Sequence, residues 1–235
     1  MLESVRVETL FLDAGGVLVF PNWTRVSDVL SQHGVRVDAA ALAAAEPHAK
    51  QQIDVGTTVS GTNDRERGWL YFNLVLTQAG VPLSEGTDAA LAELHTYHST
   101  MNLWESVPSD VVPALERLRG LGLRLAVISN ANGTLHAMFK RLGLTSRFDA
   151  VLDSCDEGCE KPDARLFQIG LERVGGRAET TLHVGDIYHV DVIGARNAAL
   201  RAVLLDPFGL YEGYDCPRVR SLNELAEGLQ HGSWD

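Results

Sequence analysis

One short apolar segment constrains this chain more than any other feature. Residues 7–13, ValGluThrLeuPheLeuAsp, read as a buried strand, and ValLeuValPhe at 17–20 is broken at once by Pro21-Asn22. No further strand pattern follows until residue 123. A lone strand leaves two edges of unpaired backbone groups, so it must join strands from far along the chain. Whatever lies between is then an insertion into one sheet-based domain. From Trp23 to about Asn102 the pattern is helical, with apolar residues at helical spacing over 24–33, 38–53, 62–79 and 87–99. In the third stretch Trp69, Phe72, Leu76 and Ala79 lie three or four apart. The expected organisation is a core of residues 1–20 with 105–235, and an all-helical inserted domain over 21–104.

Beyond Pro108 the character changes. Residues 109–119 form an amphipathic helix, with Ser109 or Asp110 to cap it and Gly120 to end it. Strands at 123–130, 148–153, 181–185 and 201–205 alternate with helices at 134–142, 163–174 and 188–199, and one more helix is expected near 222–229. Strict strand–helix alternation specifies an α/β fold: a parallel sheet with helices on both faces, a three-layer α/β/α Rossmann-like core. A chain of 235 residues, 45% apolar, can bury such a core, which excludes disorder and a disulfide scaffold.

Charge narrows the partners. The 20 Lys and Arg against 31 Asp and Glu give −11, which argues against nucleic acid as a partner. An anionic ligand would also need local positive charge supplied by its site. Three cysteines, Cys155, Cys159 and Cys216, form no matched zinc pattern, so reduced thiols in a cytoplasmic protein are expected. The sequence contains no basic, then apolar leader and no run of the ~18 apolar residues a membrane span needs, so no membrane partner is expected. Nothing in the pattern specifies the oligomeric state.

In a parallel α/β sheet ligands bind at the carboxyl ends of the strands. There the first strand delivers Asp13, with Gly15 and Gly16 just beyond. The strand at 123–130 delivers Ser129 and Asn130, followed by a helix start with free N–H groups. The loop before 163–174 delivers Lys161, one of three lysines in the chain. The strand at 181–185 delivers Gly185 and Asp186, with Asp191 five residues on. Singly, each has an ordinary structural reading: a turn or helix cap for Asp13 and Ser129-Asn130, a surface lysine for Lys161. Four such deliveries at one sheet edge describe a common site. A carboxylate can attack phosphorus to form an acyl phosphate. Magnesium suits Asp13, the Gly15 carbonyl and Asp186 as oxygen ligands. Lys161 would offset the crowding of negative charge, while Ser129 and helix-start N–H groups would hold phosphate oxygens.

AspAlaGlyGlyValLeu at 13–18, IleSerAsn at 128–130, GluLysPro at 160–162 and GlyAspIleTyrHisValAsp at 185–191 together resemble the four motifs of the haloacid dehalogenase superfamily. The resemblance covers about residues 5–20 and 105–205, and the helical insertion lies where that family places a helical cap. It implies a hydrolase with Asp13 as nucleophile, and Ser129 and Lys161 on the phosphate, with Gly15, Gly16 and Asn130 beside it. Asp13, Gly15, Asp186 and Asp191 would serve magnesium. The implied activity is a magnesium-dependent phosphatase of a small phosphorylated metabolite. One departure stands out: the family's phosphatases carry a second Asp two residues after the nucleophile, where this chain has Gly15. General acid–base help at that place is worth about 10²–10⁴-fold.

Two other readings share the motifs: a metal-independent 2-haloacid dehalogenase with Asp13 attacking carbon, and a non-catalytic phosphate-binding or regulatory member. A third, cleavage of a carbon–phosphorus bond by a relative that uses a cap lysine, would fall on Lys50. Within the insertion His48, Lys50, Asp64, Arg65, Arg67, Tyr71, His95 and His98 are the polar candidates. His95 and His98, three apart, could share a helix face.

Overall fold

The computed structural model describes residues 6–62 and 64–232, with the side chains of Thr57, Ser60, Asp64, Arg65 and Trp69 outside the description. Two compact units emerge: one runs to Phe20 and resumes at Val107, and the other is Pro21–Ser106.

The first unit is built on a parallel sheet. Its strands are β1 (Thr9–Leu12), β2 (Arg124–Ser129), β3 (Ala150–Asp153), β4 (Thr181–Gly185), β5 (Arg201–Leu205) and β6 (Arg218–Val219). Their spatial order is β3-β2-β1-β4-β5-β6. The N-terminal strand therefore sits in the middle, pairing Leu12 with Val127 on one side and Val184 on the other. All four residues of β1 are buried, as a strand covered on both faces requires. Strand order reverses between β1 and β4, and that reversal opens a crevice at their carboxyl ends.

Helices of this unit follow the sequence pattern closely. In chain order after the second unit's five come α6 (Val111–Gly120), α7 (Leu135–Arg141), α8 (Ser154–Glu157), α9 (Ala164–Val174), α10 (Ile193–Asn197) and α11 (Leu222–Gln230). One face of the sheet contributes Phe11, Ala126, Ile128 and Leu152 to a core with Leu166 and Phe167 of α9 and Ala195 of α10. Four details differ from expectation. Helix α8 follows β3 where the sequence shows no helical pattern. Asp110 occupies the cap position of α6 but makes no side-chain cap bond. The expected helix 188–199 is a π-turn, Tyr188–Val192, running into α10. The two-residue β6 extends the sheet where no strand pattern is visible.

The second unit holds α1 (Trp23–Gln32), α2 (Ala39–Ile53), α3 (Gly56–Gly61), α4 (Asp64–Gln78) and α5 (Glu85–Met101). Asn22, Asp38 and Ser84 cap α1, α2 and α5 with their side chains. The expected single helix over 62–79 is α4 alone, with α3 as a separate short helix before it. Trp23, Leu30, Leu42, Leu76, Leu91 and Leu94 form its core, and Tyr71 stacks among Trp23, Phe72 and Trp104. Glu105 ties the unit's two ends, accepting from Asn22 Nδ2 at 3.0 Å, Arg25 Nε at 2.9 Å and Tyr97 Oη at 2.9 Å. Among the described residues no helix is long and apolar enough to cross a membrane.

Candidate active site

Asp13 follows β1 directly, and its N–H bonds Val184 O of β4 at 2.9 Å, which seats it at the reversal point. The chain then turns sharply: Leu18 and Val19 N–H return to Ala14 O, and Gly16 N–H to Val19 O. Gly16 has φ 75°, a conformation that only glycine adopts cheaply, so the tight loop needs it. Gly15 lies in this loop, bridged to Val19. Asp13 retains 9% exposure and Asp186 7%, while Lys161 retains 1%.

Lys161 is the cation of the site. Its Nζ lies 2.8 Å from Asp13 Oδ1 and 2.6 Å from Asp191 Oδ1. Ser129 lies close enough to help hold the Asp13 carboxyl down, while its hydroxyl donates to Asn130 O at 3.4 Å. Asp186 follows β4, and one oxygen of each of Asp13, Asp186 and Asp191 lies within 4.8 Å of the others, all three residues buried. The structure thus brings Asp13, Ser129, Lys161, Asp186 and Asp191 together.

Asp191 is saturated by protein donors. Its Oδ1 takes Lys161 Nζ and lies 3.0 Å from His183 Nε2, while its Oδ2 accepts from the N–H groups of Asp186 at 3.2 Å and Ile187 at 3.0 Å. Charges respond accordingly. Burial opposes ionisation of Asp191, but the Lys161 and His183 contacts outweigh it and hold the carboxyl below its ordinary range. Burial raises the Asp13 carboxyl; Lys161 only partly reverses this, and Asp191 adds to it. Lys161 would lose its proton more easily through burial alone, yet Asp13 and Asp191 hold it firmly protonated.

Asn130 has a different task from the one its position suggests. Its Oδ1 accepts from Lys161 N–H at 2.7 Å and its Nδ2 donates to Lys161 O at 2.9 Å, a two-point lock on the lysine backbone. The N–H groups expected free at the following helix start are also partly spent. Gly133 and Leu135 N–H both donate to Asp153 Oδ2, at 2.9 and 3.2 Å, and α7 begins only at Leu135. Asp153 and His183 were not singled out from the sequence. Asp153 reads there as another acid after a strand, and His183 as part of an apolar run.

The residues present fit a magnesium ion. Asp13, Asp186 and Asp191 each bring a buried carboxylate oxygen within 4.8 Å of the others, a donor set that suits a hard divalent cation. Several polar candidates of the helical unit are engaged locally. Lys50 pairs with Glu46 at 3.1 Å, and Arg67 donates to Val59 O and Thr62 O. His98 Nδ1 accepts from Leu103 N–H at 3.1 Å, and Tyr71 belongs to the aromatic core. His48 lies on α2 and His95 on α5. The side chains of Asp64 and Arg65 fall outside the described residues.

Comparison with known proteins identifies the family. The haloacid dehalogenase-like hydrolase profile matches residues 7–199. A ribulose-1,5-bisphosphate 5-phosphatase of Halopiger xanaduensis is 34% identical over 167 residues, covering 69% of this chain and 68% of that protein. A glyceraldehyde 3-phosphate phosphatase of Methanothermobacter thermautotrophicus is 36% identical over 114 residues, covering 47% of this chain and 50% of that protein. In fold, the chain is similar to the magnesium-bound HAD-hydrolase YfnB of Bacillus subtilis, with TM-score 0.69 at 18% identity, covering 95% of this chain and 99% of that one.

Proposed function

The chain belongs to the haloacid dehalogenase-like hydrolase family, and we propose that it is a magnesium-dependent phosphatase of a small phosphorylated metabolite, with the helical unit as its cap. The observation that carries this reading is the buried set of Asp13, Asp186 and Asp191 beside Lys161. A 2-haloacid dehalogenase needs the nucleophile but no metal, so a carboxylate set with cation-binding spacing around Asp13 favours phosphoryl chemistry. Two relatives named as phosphatases support the same choice.

In the proposed reaction an oxygen of Asp13 attacks the phosphorus of a phosphomonoester. An aspartyl phosphate forms as the bond from phosphorus to the alcohol oxygen breaks. Water then attacks that phosphorus, freeing inorganic phosphate and restoring Asp13. Lys161 and Ser129 hold the non-bridging oxygens, and Asn130 keeps the Lys161 backbone in place. Asp13, Asp186 and the Gly15 carbonyl would hold magnesium, with Asp191 behind them through Lys161 and the Asp186 N–H. Bound there, the ion would draw charge from the phosphoryl oxygens and screen them from the carboxylates. Gly15 brings no acid to the leaving oxygen, so esters whose leaving group departs without a proton are the favoured substrates. The three cysteines are free, which fits a cytoplasmic protein.

The test is phosphate release from p-nitrophenyl phosphate with and without magnesium. Release that depends on magnesium and disappears in Asp13→Asn is expected. A broad panel of phosphomonoesters left intact with magnesium present would refute the reading, and halide release from a 2-haloacid in the presence of a chelator would move the attack to carbon.

A further inference from the structure

Resting on the phosphatase reading, we propose that His183 is a positioning residue that aims the Lys161 ammonium through Asp191. His183 lies inside β4, not at its carboxyl edge, with 0% exposure. Its ring stands edge-on to Phe167, with centroids 4.9 Å apart at 84°. Nothing at this place in the sheet calls for a polar side chain. Burying an imidazole with one nitrogen unpaired costs stability that an apolar residue of similar size would not. That is its condition here: Nδ1 makes no hydrogen bond among the described residues. Its one polar contact runs from Nε2 to Asp191 Oδ1, at 3.0 Å.

The geometry of Asp191 shows what this contact does. Oδ2 is pinned by two backbone N–H groups, those of Asp186 and Ile187. Oδ1 has two partners, the Lys161 ammonium and the imidazole. Lys161 is itself shared, 2.6 Å from Asp191 and 2.8 Å from Asp13. An N–H from His183 stops the carboxylate from swinging about Oδ2 and takes up part of the charge on Oδ1. Lys161 then stays divided between the two acids, within reach of a phosphoryl group on Asp13. Without that donor the carboxylate is free to rotate and to draw the ammonium away. A displacement of that kind near the reacting atoms costs on the order of 10–100-fold in rate.

Three versions of the full chain decide the matter: wild type, His183→Leu and His183→Gln, the last restoring a side-chain N–H donor. Each is measured for p-nitrophenyl phosphate turnover with magnesium. Each is also titrated with orthovanadate and inorganic phosphate by calorimetry, and melted by circular dichroism. The expected result is a fall of tenfold or more in kcat for the leucine variant. Its orthovanadate affinity should weaken more than its phosphate affinity, the glutamine variant should recover most of both, and the leucine variant should melt no lower than wild type. A leucine variant with wild-type turnover and orthovanadate affinity overturns the proposal. So does a glutamine variant no better than leucine, or a parallel loss of both affinities tracking a lowered melting point. Should wild type show no turnover, the phosphatase reading fails alone, and the orthovanadate ranking still decides the role of His183. Wild type that binds neither anion overturns both. If the leucine variant does not fold, nitrogen NMR of the wild-type imidazole decides: a proton on Nε2 supports the proposal and one on Nδ1 overturns it.

Discussion

Replacing Gly185 by alanine tests how tightly the buried carboxylates are held. A Cβ at this position would lie 2.0 Å from Asp191 Cγ and 2.4 Å from Asp191 Cβ. Such contacts do not occur in close-packed interiors, so Asp191 must shift by on the order of 1 Å. Rotating the side chain does not clear the clash, because the Asp191 Cβ is fixed to the π-turn backbone. Moving it strips Oδ1 from Lys161 and His183, and Oδ2 from the Asp186 and Ile187 N–H groups. Breaking a buried ion pair costs about 3–5 kcal/mol. Against a total stability of about 5–15 kcal/mol the protein should still fold. At about 2–4 °C per kcal/mol for a chain of this size, the melting point should drop by roughly 6–20 °C. Turnover of p-nitrophenyl phosphate should fall by about 100-fold with it. The assay is thermal and urea unfolding by far-ultraviolet circular dichroism, with Gly120→Ala as control, since a Cβ there meets nothing. A Gly185→Ala protein melting within about 2 °C of wild type would refute the reasoning, because even 1 kcal/mol moves the midpoint that far.

Other perturbations follow from the same contacts. Asn130→Ala should cost about 2–4 kcal/mol in urea unfolding, since it strands the N–H and carbonyl of a buried lysine. Glu105→Ala removes the acceptor for Asn22, Arg25 and Tyr97 and should cost about 2–3 kcal/mol; a double-mutant cycle with Arg25→Ala should be non-additive. Burial, helped by His95, lowers the His98 pKa to about 4, so the folded chain keeps this ring neutral where the unfolded chain binds a proton. Stability is then lost as pH falls from about 6.5 to about 4, by up to roughly 3 kcal/mol, and His98→Gln should flatten that part of the melting-point profile. Finally, aryl phosphates should outpace alkyl phosphates by about 10²–10⁴-fold, the help a missing acid withholds, and equal rates would mean that another residue protonates the leaving group.

Much of the fold is legible in the chain because buried strands and helix faces leave periodic traces. Strand β4 was read at its observed bounds, 181–185, and β5 at 201–205, since both are apolar runs flanked by turns. The two-residue β6 left no trace, being too short to show a period. Its pairing with β5 depends on Leu204 and Leu205 finding Arg218 and Val219 across a loop. Helix α3 is equally invisible, because Gly56–Gly61 falls between the helical stretches 38–53 and 62–79 and is too short to show a period. For the site, the residues at strand ends could be named because a parallel sheet delivers all its carboxyl ends to one edge. Their duties could not. Asn130 reads as a phosphate ligand until its amide is found closed on the Lys161 backbone.

The linear order of residues was enough to specify a parallel sheet with a helical insertion, and to send Asp13, Ser129, Lys161 and Asp186 to one edge of it. Those consequences follow from local periodicity and from the rule that neighbouring parallel strands point the same way. Only the folded molecule decided who holds whom: His183 on Asp191, Asp191 on Lys161, Asp153 on the start of α7. Such pairings join residues far apart in the chain through bonds of about 3 Å, and hydrogen-bond direction at that range is set by packing in three dimensions, which leaves no periodic mark on a sequence.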